Sequence, residues 1–245
     1  MSLNLTIDQG NTVAKMALWD GIELIDIVNE AHLCAQTVEQ FTHGRGAIDA
    51  AIYCSVSDDG SAVLGSIRHI AKRVCRLSSR CRLPIKIDYG TPGTLGADRI
   101  AAAVGAVSLH PGQNLLVVDA GTAVTYDFVT ADGTFRGGNI TPGLKMRLDA
   151  LHRYTARLPQ LEVPASIEHR RVLGKDTADA MILGAVYGIV GAVSFYMSKL
   201  RDTKVVMTGG NAPLLSPLLD FEVDVDEHLV SKGLNSILLY NENKK

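Results

Sequence analysis

Three aspartates in this 245-residue chain sit where a turn can put them to chemical use. Asp8 ends an apolar run in LTIDQGNT and Asp119 ends another in LVVDAGTA, each followed two residues later by a glycine, Gly10 and Gly121. A strand that delivers a carboxylate into a glycine turn leaves backbone N–H groups open to an anion, with no side chain in the way. Two such turns, joined by a third glycine turn, TGGNA at residues 208–212, suit a nucleotide's phosphates and their metal. Asp98 differs: it stands beside Arg99 in YGTPGTLGADRIAAAVGA, where a Gly/Pro loop runs into a helix. There a carboxylate and a guanidinium offer a general base and a clamp for an acidic substrate. The plainer alternative is that Asp98 caps the helix and Arg99 is solvated; spacing alone is compatible with both.

The elements that must position these residues occur twice. LNLTID and VAKMALWD read as strands around the first glycine turn, and the Asp20-Gly21 pair closes a hairpin onto IELIDIV. A strand AIDAAIYCSV, a helix SAVLGSIRHIAKRV and a strand LPIKIDY follow. The second half opens with NLLVVD, turns at Gly121, returns through AVTYDFVT, and continues into helices, the strand KVVMTGG and a last helix around SKGLNSILLYN. The repeated order predicts an internal duplication: two similar α/β lobes, residues 1–114 and 115–245, with a nucleotide cleft between them. The chain has no GxxxxGK[ST] P-loop, and no GxGxxG follows a strand, so ATP would bind by the two-lobed scheme.

A formal net charge of -2 gives no excess of Lys and Arg to announce nucleic acid or an anionic membrane, which leaves a small molecule as the expected partner. Cys34, Cys54, Cys75 and Cys81 form neither a CxxC pair nor a zinc-ligand spacing with histidine, and read as buried thiols in a reducing cytoplasm. His152 and His169 have no ligand spacing, and EHRR at residues 168–171 reads as a solvated turn. No signal-peptide pattern is expected at the N-terminus. The uncharged run AMILGAVYGIVGAVSFYM, residues 180–197, is long enough to span a bilayer and carries Gly184 and Gly188 in GxxxG spacing. Its glycines and its place in an alternating α/β pattern predict a fully buried helix of a globular protein instead.

The segments DQGNTVAK, TLGADRIAAAVGA, DAGTAVTYD, GGNITPGLKMRLDALHRYTARLP, GKDTADAMILGAVYGIVGAV and TGGNA, in that order, resemble the type III pantothenate kinases of bacteria. The resemblance runs from about Leu3 to the final helix, and the GADR block with GG.I.PG is its most specific part. It implies a duplicated actin-like (ribonuclease H-like) fold, a cytoplasmic homodimer, ATP with Mg²⁺, a monovalent cation (K⁺ or NH₄⁺), and phosphorylation of pantothenate to 4'-phosphopantothenate, the first step of coenzyme A synthesis. By the same resemblance ATP binds at Asp8, Gln9, Gly10, Asn11, Thr12, Val13, Ala14 and Lys15, with Asp8 acting on Mg²⁺ through water, and at Thr122. Asp98 matches the catalytic base; Gly96, Ala97 and Arg99 match the pantothenate loop, with Tyr89 and Thr177 as further contacts; Asp119 matches the monovalent-cation ligand.

Two positions depart from the family pattern. Gln9 replaces a small aliphatic residue, and Asp176 adds a negative charge beside Thr177 that Lys175 or Arg171 would have to offset. Another kinase of the same superfamily would lack GADR. A homologue that had lost catalysis to become a regulatory or binding protein would be expected to lose Asp8, Asp98 or Asp119 first, and all three are present. A filament-forming or chaperone-like ATPase would need a longer chain.

Overall fold

The computed structural model describes residues 3–55, 60–167 and 171–242. The first half contains β1 (Leu3–Gln9), β2 (Ala14–Asp20), β3 (Glu23–Glu30), α1 (Ala35–Thr42), β4 (Ile48–Ser55), α2 (Ser61–Ile70), β5 (Ala71–Arg76), the short β6 (Lys86–Ile87) and α3 (Ala97–Leu109). The second contains β7 (Asn114–Ala120), β8 (Ala123–Val129), β9 (Thr134–Pro142), α4 (Leu144–Arg153), α5 (Thr177–Lys199), β10 (Thr203–Thr208), α6 (Ala212–Leu215), β11 (Val223–Val225) and α7 (Leu229–Glu242).

These elements form two compact units: one drawn from Met1–Gly112, Asp132–Arg136 and His228–Lys245, the other from Gln113–Ala131 and Gly137–Glu227. The division after Gly112 falls two residues before the expected boundary, but α7 and a piece of β9 belong to the first unit, where a simple two-piece division put them in the second. In the first unit the strand order is β3-β2-β1-β4-β5; in the second, β9-β8-β7-β10-β11 follows the same plan. β1 is antiparallel to β2 and parallel to β4, just as β7 is antiparallel to β8 and parallel to β10, so the duplication expected from sequence is present in the topology.

Period-2 alternation assigns the faces of β1. Leu5 and Ile7 join Val38 of α1 and Val63, Leu64 and Ile67 of α2 in one core, while Asn4, Thr6 and Asp8 point to the face covered by α3 and α7. That second face is polar and largely hydrogen-bonded: Trp19 Nε1 donates to Thr6 Oγ1 (3.0 Å), Asn4 Nδ2 donates to Asn235 Oδ1 of α7 (3.3 Å), and Asn235 Nδ2 donates to the Gly21 carbonyl (2.7 Å), while Asn4 Oδ1 is buried without a partner among the described residues. Because both faces are covered, β1 is buried from Asn4 to Ile7 whatever the residue type. The run IAAAVGA in α3 keeps side chains small, and α7 approaches its backbone: a Cβ on Gly233 would lie 1.8 Å from the Ala101 carbonyl oxygen, and one on Gly105 2.3 Å from that of Leu229.

In the second unit Leu116, Val118 and Ala120 of β7 pack with Val205 and Met207 of β10 against Leu144 and Leu148 of α4 and Ile189 and Val193 of α5. α5 corrects one expectation: it is the one described helix with the length and apolarity to cross a membrane, yet only 39% of its most apolar window is buried, and Phe195 is 56% exposed. One side of it is core, and it is not enclosed all round.

Three further expectations change. SAVLGSIRHIAKRV divides into α2 and β5, because AKRVCR, residues 71–76, pairs with β4 from Ile48↔Ala71 to Tyr53↔Arg76, although the spacing of Ala71 and Val74 continues the helical period. LPIKIDY contributes only the two residues of β6. Of the four cysteines only Cys54 is buried; Cys34 is exposed and Cys75 and Cys81 are intermediate. In EHRR, Glu168, His169 and Arg170 lie outside the described residues, and Arg171 forms an ion pair with Asp179.

Candidate active site

The first unit gathers most of the expected residues. Asp8 stands near the end of β1, opposite Lys15 across the hairpin, so the two side chains share a face. Between them the turn closes with the Gly10 N–H donating to the Val13 carbonyl (3.2 Å), and leaves Asn11, Thr12 and Val13 exposed. Gln9 is tied inward by a hydrogen bond from the Tyr53 hydroxyl, which gives this departure from the family pattern a structural use.

Asp8 and Asp98 act on a shared neighbour. The register Asp8↔Cys54 places Cys54 beside Asp8 on the face that α3 covers, and its thiol donates to the Asp8 carboxylate. Burial first, then the negative charges of Asp8 and Asp98, push the Cys54 thiol well above its ordinary range, so it stays protonated. Nothing in the sequence marked Cys54; only the pairing of β1 with β4 brings it here.

Asp98 belongs to the first turn of α3, whose N-cap is Gly96, so it is not the capping residue. Its Oδ1 accepts from the Arg99 N–H (2.8 Å), which leaves the carboxylate at a helix N-terminus where the macrodipole stabilises its charge. A side chain at Gly96 would lie 2.4 Å from that same oxygen, which explains the glycine of GADR. Ala97 is the first residue of the helix.

Arg99 is not solvated. It is 5% exposed, and its guanidinium carbon lies 5.7 Å from the ring centroids of both Tyr89 and Phe135. The two rings meet edge to face at 6.1 Å. A buried guanidinium held against an aromatic pair is fixed in direction and weakly hydrated, a state that favours a carboxylate partner. Phe135 was not legible as a site residue, since it enters through β6–β9 pairing (Ile87↔Phe135) between segments far apart in sequence.

The second unit assembles the other two glycine turns. β7 and β10 pair through Asp119↔Thr208, and the Ala120 carbonyl accepts from both the backbone N–H and the side chain of Asn211, each at 3.1 Å. Gly209 takes φ +89°, and a Cβ there would lie 2.5 Å from Asp119 Oδ1, so the TGGNA backbone closes directly on the Asp119 carboxylate. The Gly143 N–H donates to the Thr122 carbonyl (3.0 Å), and a Cβ on Gly143 would lie 2.4 Å from the oxygens of Gly121 and Thr122. The last glycine of GG.I.PG is therefore required by the DAGT turn. Thr122 itself is exposed.

Thr177 opens α5 and is exposed. Asp176 is the N-cap of that helix, accepting from the Asp179 N–H (2.9 Å), so its carboxylate is turned to the helix end. Arg171 pairs with Asp179 and not with Asp176, contrary to the expected offset.

The sequence model of the type III pantothenate kinase family matches residues 4–199 of the chain. A type III pantothenate kinase of Bacteroides fragilis (strain YCH46) is 38% identical over 99% of this chain and 100% of its own length. Among solved structures, a Campylobacter jejuni protein of the Baf family superposes with a TM-score of 0.66 at 21% identity, covering 98% of this chain and 99% of its own. Component A of the (R)-2-hydroxyglutaryl-CoA dehydratase of Acidaminococcus fermentans superposes with 0.55 at 14% identity over the whole of both chains. The duplicated two-sheet α/β fold is shared with these solved structures, and the match over residues 4–199 with a full-length relative at 38% identity means that the chain belongs to the type III pantothenate kinase family.

Proposed function

We propose that the chain carries out its family's reaction, ATP-dependent phosphorylation of pantothenate in coenzyme A synthesis, with Asp98 as the general base. The observation that carries this is the carboxylate of Asp98 at the start of α3, acting with Asp8 on one buried thiol while Arg99 is held beside it. Phosphoryl transfer asks little covalent chemistry of a protein: it needs positioned phosphates, neutralised charge and a group that orients the attacking hydroxyl and takes its proton. Asp98 takes that proton from the primary alcohol of pantothenate. Arg99, with Tyr89, Gly96, Ala97 and Thr177, binds the rest of the acceptor, the guanidinium facing its carboxylate. The turn from Asp8 to Lys15 and Thr122 hold ATP, and Lys15 offsets phosphate charge.

Among the described residues no three His, Cys, Asp or Glu side chains form a ready-made metal site. Mg²⁺ keeps most of its waters and takes one or two carboxylates plus phosphate oxygens, so a lone carboxylate beside bound phosphates can serve it. Asp8 would supply such a carboxylate, acting through the metal's waters. Asp119, enclosed by backbone of two glycine turns, offers oxygen donors to a monovalent cation. When bound, these cations neutralise the charge that develops on the phosphates.

Arg99 provides the test of the acceptor site. Arg99→Lys keeps the charge and loses the planar fork; Arg99→Ala loses both. KM for pantothenate is expected to rise in both, about tenfold or more in the alanine variant, with KM for ATP little changed. An unchanged pantothenate KM in Arg99→Ala would remove this residue from the site.

We infer that the enzyme works in the cytoplasm as a homodimer. Ile140, Met146, Leu151 and Phe195 are large apolar side chains left exposed on the second unit, and a second copy would cover them. Light scattering should give twice the chain mass. Activity should be strong in K⁺ or NH₄⁺ and poor in Na⁺ at equal ionic strength, and Asp119→Asn should lose most activity with most of the cation dependence. Equal rates in the two salts, or a fully active monomer, would contradict this assignment.

A further inference from the structure

The first unit holds a second group of reactive side chains outside the kinase residues. Cys75 lies on β5 and Cys81 in the turn after it, with their Sγ atoms 3.7 Å apart. The turn is built around Cys81: its N–H donates to the Ser78 carbonyl (3.0 Å), its sulfur lies 3.3 Å from the Arg76 carbonyl oxygen, to which it donates only while protonated, and Ser78 Oγ lies 3.7 Å from the sulfur. The Arg80 N–H donates to Ser78 Oγ (3.3 Å), and the Leu77 N–H donates to the Tyr53 carbonyl (2.9 Å), fixing the end of β5. A disulfide would bring these sulfurs from 3.7 Å to about 2 Å.

The two thiols are unequal. Hydrogen bonding from Cys75, and then from Ser78, holds Cys81 well below the ordinary thiol range, and the same contact with Cys81, together with burial, raises Cys75. Such a pair divides into an attacking and a resolving sulfur. Arg76, Arg80 and Arg82, all exposed, flank Cys81 in RLSSRCR and favour an anionic co-reactant. The other thiols are placed differently: Cys34 is exposed at the start of α1, and Cys54 is 0% exposed beneath α3.

We propose that Cys75 and Cys81 form a dithiol site that reacts with small anionic disulfides and closes to an intramolecular disulfide. The Cys81 thiolate attacks one sulfur of the small disulfide, breaking its S–S bond and releasing one thiolate, which takes up a proton. Cys75 then gives up its proton and attacks the Cys81 sulfur, releasing the second thiol. Two protein thiols are oxidised by two electrons, and one small disulfide is reduced to two thiols.

The test treats the Cys34→Ser protein, which keeps the pair and lacks the exposed thiol, with oxidised glutathione, and follows intact mass and peptide linkage. The expected product has lost about 2 Da, contains a Cys75–Cys81 peptide, and returns to the starting mass with dithiothreitol. Adding Cys75→Ser should stop the reaction at a stable glutathione adduct on Cys81, and adding Cys81→Ser should slow uptake at least tenfold. Raising the salt concentration should slow the first step severalfold. Thiols that stay free, or an adduct that persists with Cys75 present in protein of native circular dichroism, would overturn the site; a salt-independent rate would overturn its preference for anions.

Discussion

Asp98→Asn is expected to lower kcat by about 10²-fold or more while leaving the protein folded and able to bind both substrates. The substitution keeps the size of the side chain and an oxygen that accepts from the Arg99 N–H, now made at 2.8 Å, so the start of α3 is preserved. It removes the capacity to take a proton from the acceptor alcohol and the negative charge that orients it. KM for ATP should move little, because the Asp8–Lys15 turn is formed by β1 and β2 without help from α3. Near wild-type turnover in this variant would mean that the base lies elsewhere.

The second large effect concerns stability. Gly233→Ala places a methyl group 1.8 Å from the Ala101 carbonyl oxygen, against helix backbone that cannot give way as a flexible side chain can. α7 and α3 must separate, and α7 also covers the polar face of β1 through Asn235. Overpacking of this kind costs about 3 kcal/mol, and for a chain of this length that lowers Tm by roughly 6–12 °C. Thermal unfolding of the variant beside Gly184→Ala, a glycine of α5 with open space around it, separates close packing from helix propensity. An unchanged Tm in Gly233→Ala would show that the α3–α7 contact is looser than described.

What the sequence disclosed was local. The Asp-Gly turns, the strands that feed them and the repeated strand order follow from alternation, glycine placement and duplication, and the topology of both units repeats them. The start of the GADR helix was legible too, since a Gly/Pro loop running into alanines leaves few alternatives. What escaped depends on pairing between distant segments. Cys54 joins the site only because β1 lies beside β4, and Phe135 reaches Arg99 only because β9 pairs with β6. The return of α7 to the first unit rests on two glycine contacts that no periodicity announces. The boundary between α2 and β5 escaped because Ala71 and Val74 continue the helical spacing, and pairing with the neighbouring strand overrides it. For Arg99 the sequence is compatible with either a solvated or a substrate-facing side chain, and its burial beside the Tyr89–Phe135 pair needs the tertiary structure.

The most direct test of the account follows phosphopantothenate by mass while wild-type protein and Asp98→Asn are incubated in parallel with ATP, Mg²⁺, K⁺ and pantothenate. The wild type should form product only when ATP and pantothenate are both present, and the variant should form it at about one hundredth of that rate or less. A wild-type protein that makes no phosphopantothenate, or a variant that makes it as fast, would contradict the central claim that Asp98 at the start of α3 activates pantothenate for phosphoryl transfer.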